Sequence, residues 1–205
     1  MSLRNALALA IVLTIASSGA CAQGATQESA TVPASERFAA CLACHGEGGV
    51  SRLPLTPSLA GQPSFYAITQ LFLFREGRRQ NEAMTAVAKG MSDADLRAFS
   101  ELIAKLPPPP AAPASDAARS ARGAAIAQRF RCASCHGADY AGGQQVARLA
   151  GQREDYLNKA LAEFRAGTRV GYTSAMSEAL AGIEPGELGD LAHYLASFGN
   201  TATAR

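Results

Sequence analysis

The chain has 205 residues, 48% hydrophobic and 18% charged, with a formal net charge of +2. The apolar fraction excludes a wholly disordered chain, and the length allows one or two domains. Near balance of charge excludes a strongly basic nucleic-acid binder, and only Lys89, Lys105 and Lys159 are lysines among nineteen cations.

Arg4, an apolar run over Ala6–Ala16 and small residues through Ala22 follow the charged, apolar, small-residue order of a signal peptide. The run falls short of the roughly 20 apolar residues that a transmembrane helix needs. Residues 1–22 are therefore expected to direct export, and 23–33 to form a disordered leader. Two fates of Cys21 stand open. Cleavage before Gln23 removes it, whereas Gly19-Ala20-Cys21 resembles the end of a lipobox and would make it a lipid anchor, with Ser18 where leucine usually stands.

Further along, the predicted elements are helices joined by loops rich in glycine and proline. Ser35–Cys44 forms the first, and Pro63 or Ser64 starts a second that ends at Arg75 before Gly77. Ser92-x-x-Asp95 signals the start of a third, which Pro107 stops. Pro107–Pro110 with Pro113 reads as a semi-rigid polyproline spacer over 107–115. A helix from Asp116 runs to Cys135, and Pro185 opens a last one carrying Leu188, Leu191, Leu195 and Phe198. No alternating strand pattern is evident, so the fold class is all-α.

These elements repeat. Cys41-Leu-Ala-Cys44-His45-Gly46 recurs as Cys132-Ala-Ser-Cys135-His136-Gly137 at an offset of 91 residues. Leu59-Ala-Gly-Gln62 recurs as Leu149-Ala-Gly-Gln152, and Phe74-Arg75-x-Gly77 as Phe164-Arg165-x-Gly167, both at an offset of 90. Met84 and Met176, then Leu96 and Leu188, match at 92. Ordered markers at near-constant spacing indicate duplication: one domain over 34–106, a linker over 107–115 and a second domain over 116–205.

C-x-x-C-H places two thiols one helical turn apart with an imidazole beside them. The thiols can add to the vinyl groups of one haem while His45 or His136 ligates its iron. A redox disulfide would lack the histidine, and a zinc site wants a fourth donor in each copy. Two covalent haem c groups, held by Cys41, Cys44, Cys132 and Cys135, would also supply the apolar centre that domains of about 80 residues need. Met84 lies 39 residues after His45, and Met176 lies 40 after His136. A loop ahead of each last helix would bring these thioethers to the irons, and His–Met ligation suits electron transfer. Met91 is the rival to Met84, but it aligns with Ile183 and reads as core. His193 aligns with Glu101 and reads as a partly exposed helical histidine. Tyr66, Tyr156, Arg75 and Arg165 are either propionate partners or, respectively, core aromatics and helix-end surface charges.

With both C-x-x-C-H-G motifs, both Leu-Ala-Gly-Gln segments, Met84 and Met176, the chain resembles the dihaem cytochromes of the cytochrome c4 family over everything after the signal peptide. The resemblance implies two tandem helical cytochrome c domains facing each other about a pseudo-twofold axis, with propionates near the interface. It implies a periplasmic carrier of single electrons, often towards a membrane terminal oxidase. One departure is Ala147, which stands where the first copy has Pro57; if Pro57 orients His45 through its carbonyl, the second haem would be held differently. An electron-accepting subunit of a periplasmic dehydrogenase is the alternative, as is a dihaem enzyme of peroxidase or thiosulfate dehydrogenase type with one open iron. Paired methionines argue against the enzyme. A monomer with redox-protein partners, peripheral membrane contact and no nucleic acid is expected. Removal of residues 1–22 takes away only Arg4 among charged side chains, leaving 18 positive against 17 negative, so steering by net charge is expected to be weak.

Overall fold

In the computed structural model, residues 32–169 and 174–199 are described. The export segment and most of the leader, residues 1–31, lie outside them. Among the described residues nine α-helices run in the order α1 Ala34–His45, α2 Ser64–Arg75, α3 Glu82–Ala88, α4 Asp93–Lys105, α5 Ala117–Arg129, α6 Ala133–His136, α7 Glu154–Arg165, α8 Ala175–Leu180 and α9 Leu188–Ser197. Among the described residues the only strand-like pairing is an isolated bridge between Gly143 and Val146. The fold is all-α.

Local chemistry sets the helix ends. Ser92 and Asp95 form a reciprocal capping box at the start of α4, and Arg37 of α1 pairs with the same carboxylate. The side chain of Asn81 accepts the backbone N–H of Met84 at the start of α3, and that of Asp116 accepts from Arg119 at the start of α5. The helix expected over 116–135 is broken. Arg131 takes a left-handed φ of 53°, and Cys132 N–H donates to Ala127 O at 3.0 Å, so α5 stops at Arg129 and the motif sits on the separate turn α6. In the first half the same motif ends the unbroken helix α1.

Each half buries its own core. Phe38 of α1 packs with Ala67 and Leu71 of α2 and with Leu96, Phe99 and Ile103 of α4. In the second half, Ile126 of α5, Leu157 and Leu161 of α7, Leu180 of α8, and Leu188, Leu191 and Leu195 of α9 surround Ile183. The α5–α9 contact is close because Gly123 has no side chain: a Cβ there would lie 2.2 Å from Asp190 O and 2.6 Å from Tyr194 Cβ. Arg119 and Arg122 of α5 then both reach Asp190 of α9, at 3.2 and 2.5 Å.

His193 departs from expectation. It is 2% exposed, and its Nδ1 lies 2.8 Å from Glu154 Oε2. The matching Glu101 on α4 is exposed. On α9 the imidazole is covered by Arg119 of α5, whose Nη1 lies 3.4 Å from Nδ1, and by Glu154 at the start of α7.

Residues from 32 onward form one compact unit. The proline segment is packed into it: Pro109 is buried, Pro108 lies against Gly61, and Ala112 N–H donates to Ala196 O at 2.9 Å.

Two stability tests follow from this packing. Gly123→Ala should destabilise the protein by about 1–2 kcal/mol in thermal or denaturant unfolding. Overpacking costs about 1–3 kcal/mol and outweighs the helix propensity gained, at most about 1 kcal/mol. For Asp95, hydrogen bonds from Ser92 and then Arg37 hold the carboxyl below its ordinary range. A depressed carboxyl contributes stability above its unfolded value, about 3.9, that is lost as pH falls through the folded value. Unfolding curves of Asp95→Asn should therefore be less stable at neutral pH and flatter with pH on the acid side than wild type.

Candidate haem-binding site

The two histidines end α1 and α6, and in each half the chain then turns sharply at a glycine. Gly46 and Gly137 both take φ 82°, which favours glycine, and a Cβ on Gly46 would in addition lie 2.0 Å from Val50 O. The loop folds back until its carbonyls meet the imidazole. His45 Nδ1 donates to Pro57 O at 2.8 Å, and His136 Nδ1 to Ala147 O at 2.8 Å. A carbonyl only accepts, so Nδ1 carries the proton and Nε2 keeps its lone pair for a metal. Burial holds both imidazoles below their ordinary pKa, against the opposing pull of the carbonyl, which keeps that lone pair free.

The equal distances answer the concern over Ala147. The orienting group is a backbone carbonyl, and alanine presents it as proline does. A second pair of contacts holds both loops in one shape. Gly49 O accepts the N–H groups of Leu59 and Ala60 at 2.8 and 3.2 Å, and Tyr140 O accepts those of Leu149 and Ala150 at the same two distances.

Cys41 and Cys132 are half-buried beside their cores, whereas Cys44 and Cys135 are exposed. Burial raises the Cys41 and Cys132 thiols above their ordinary pKa. Met84 packs against the same core as Cys41 and Leu59, and Met176 against the same core as Cys132 and Leu149. Both methionines stand on short helices, α3 and α8, not on the loops expected for them. Met91, the rival, also packs on the first core, and its carbonyl accepts from Arg75 Nη1 at 3.2 Å.

A neutral imidazole with a free Nε2, two thiols in the adjoining turn and a thioether on the same core fit a covalently attached haem in each half.

Arg75 and Arg165 act as loop anchors. Arg165 Nε donates to Ile183 O at 2.6 Å, the counterpart of the Arg75 contact with Met91 O. Tyr156 is wedged between two other guanidiniums: Arg79 Nη2 lies 2.9 Å and Arg169 Nη2 3.2 Å from its hydroxyl. Burial opposes ionisation of this phenol, but the two positive charges outweigh it and lower its pKa. Arg169 also approaches the Tyr66 hydroxyl at 3.5 Å. Arg79 and Arg169, which sequence reasoning did not single out, lie 90 residues apart, so extending the repeat two positions beyond Gly77 and Gly167 would have found them.

In the sequence Gln62 and Gln152 are repeat markers. In the fold they cross between the halves. Gln152 binds both Ser58 N–H and Ser58 O at 2.8 Å, while Gln62 binds Arg148 N–H at 3.0 Å and Arg148 O at 2.9 Å. Ser58 and Arg148 are themselves 90 residues apart, so this interface is reciprocal.

Comparison with known proteins gives the same picture. A family model described as Cytochrome c matches residues 120–199. A cytochrome c4 of Thiocapsa roseopersicina is 32% identical over 166 residues, covering 76% of this chain and 85% of that one. A thiosulfate dehydrogenase electron acceptor of Thiomonas intermedia is 32% identical over 179 residues, covering 82% of each. The cytochrome c4 structure of Acidithiobacillus ferrooxidans superposes with a TM-score of 0.68 at 30% identity, over 78% of this chain and 99% of that one. A repeat with a haem-attachment motif in each half, on a fold shared along almost the whole of a solved relative, places this chain in the cytochrome c4 family of electron-transfer proteins with covalently bound haem c.

Proposed function

We propose that this chain is a periplasmic carrier of single electrons between redox proteins, with one haem domain over 34–106, a second over 116–205 and the linker 107–115 between them. Cys41 and Cys44 hold the first haem and Cys132 and Cys135 the second. His45 with Met84, and His136 with Met176, ligate the irons. The observation that carries this reading is the repeated imidazole geometry: in both halves Nδ1 is spent on a backbone carbonyl at 2.8 Å, leaving Nε2 for the metal.

Bound haem supplies a one-electron Fe(III)/Fe(II) couple. The chain's residues decide how that couple behaves. A histidine and a methionine on each iron leave no coordination position for peroxide or oxygen, which supports a carrier and not an enzyme. Both imidazoles are buried, at 5% and 9% exposure, which would keep water from the ring and hold its orientation when haem is bound. Thioether attachment at the exposed Cys44 and Cys135 prevents loss of the cofactor to the surroundings.

Export is supported by the charged, apolar, small-residue order at the N-terminus, with Cys21 either removed or lipidated. No helix among the described residues is long and apolar enough to cross a membrane. The acceptor in this reading is a membrane terminal oxidase or a soluble redox protein. Leu53 and Leu55, exposed on the loop after the first motif, offer apolar contact to such a partner. A second reading has a specific support: relatives of Thiomonas intermedia and Stutzerimonas stutzeri are named thiosulfate dehydrogenase electron acceptors, at 32% and 31% identity. Here the chain takes electrons from such a dehydrogenase. Co-purification with a catalytic chain favours the second reading, and an isolated monomer the first.

Optical spectroscopy tests the ligands. Holoprotein should carry two haems per chain, show the near-infrared methionine-to-iron band and bind no carbon monoxide when reduced. Met84→Ala and Met176→Ala should each remove about half of that band, open one iron per chain to carbon monoxide and lower one reduction potential. Retention of the whole band in Met84→Ala would transfer the ligand role to Met91. Docking is tested by salt. With charges nearly balanced, the rate of electron exchange with an isolated partner should change by less than about threefold between low and moderate ionic strength, where charge-steered association falls steeply.

A further inference from the structure

Each half reaches across to the peptide group that orients the other half's histidine. The peptide joining Pro57 to Ser58 accepts the His45 Nδ1 proton at its carbonyl, 2.8 Å away, and donates its N–H to Gln152 Oε1, also at 2.8 Å. Gln152 Nε2 completes the grip by donating to Ser58 O at 2.8 Å. The peptide joining Ala147 to Arg148 repeats the arrangement. Its carbonyl accepts from His136 Nδ1 at 2.8 Å and its N–H donates to Gln62 Oε1 at 3.0 Å, while Gln62 Nε2 donates to Arg148 O at 2.9 Å. Ser58, Gln62 and Gln152 are all buried, so water does not compete for these groups.

A peptide is a conjugated unit, and its two ends are not independent. An acceptor on the N–H side pushes electron density to the carbonyl oxygen, and hydrogen bonds in such a series strengthen one another by about 10–30% in low dielectric. The more basic carbonyl draws the Nδ1 proton harder and gives the imidazole more anionic character. A more basic imidazole is a better donor to iron and favours its ferric state.

We infer that Gln152 is a positioning residue that lowers the reduction potential of the haem at His45, and that Gln62 does the same for the haem at His136. Each half thus sets part of its partner's potential through one peptide. The inference rests on the proposal that His45 and His136 ligate the irons. A glutamine that served only as interface adhesive would act differently: its loss would loosen the contact and admit water to both sides, moving both potentials together.

The test is an NMR-monitored redox titration of fully loaded holoprotein, with haem methyl signals assigned to each half. Gln152→Ala should raise the potential of the His45 haem by about 30–60 mV, a threefold to tenfold change in its reduction equilibrium at 59 mV per tenfold, and the His136 haem by much less. Gln62→Ala should give the converse. Gln152→Glu keeps an acceptor oxygen for Ser58 N–H and should lower the His45 potential, more than that of the other haem. A larger shift in the variant's own half, equal shifts in both, or no shift in either overturns the inference. Should Gln152→Ala not mature, Gln152→Glu decides alone: a fall greater at the His45 haem supports it, and an equal fall, no change or a rise overturns it. Failure of the ligand assignment is separately visible, as a wild-type spectrum without low-spin His–Met character. Normal spectra with unshifted potentials overturn the relay alone.

Discussion

One donor–acceptor pair in each half constrains the rest of the molecule: an imidazole Nδ1–H aimed at a backbone carbonyl. For that carbonyl to reach a ring only eleven or twelve residues earlier in the chain, the loop must reverse at once. The reversal requires the left-handed glycine after each histidine. It also delivers the Leu-Ala-Gly-Gln segment to the surface where the halves meet. A histidine orientation, a loop shape and an interface are in this sense one structural decision.

The consequence is that the two histidine loops are tied to one another. The loops that orient the histidines are also the loops that the halves use to hold each other, through carboxamides that satisfy a donor and an acceptor at once. Pairing makes burial of these carboxamides favourable, since an unsatisfied amide in the interior costs more than its hydrogen bond returns. Reciprocity explains why both glutamines carry the same partners by register, Ser58 and Arg148, although these two residues share no side-chain chemistry. Main-chain recognition is indifferent to side chains, so the duplicated interface survives where the sequence has diverged. Ala147 in place of Pro57 is a second instance of the same indifference.

The halves differ where packing differs. In the second half Arg119 of α5 and Glu154 of α7 close over His193, and Gly123 lets α5 approach α9. In the first, α4 keeps an exposed polar face at Glu101, and α2 exposes Phe65 and Phe72. Two copies of one plan thus have different outer surfaces around similar inner geometry.

Much was legible in the sequence because it resides in local spacing. Two C-x-x-C-H motifs state covalent haem chemistry directly, since one helical turn is the distance that sets two thiols beside a histidine. Helix starts at Ser92 and Asp116 and the stop before Pro107 are likewise local, decided by hydrogen bonds within a few residues. What only the tertiary structure decided involves groups far apart in the chain. The break between α5 and α6, the burial of His193 and the Arg79–Tyr156–Arg169 contact all depend on neighbours that no short window contains. The crossed glutamines are the clearest case. Their repeat marked them as paired, but a carboxamide side chain has no spacing signature for a backbone peptide 86 or 94 residues away, because any residue except proline offers that peptide the same N–H and carbonyl.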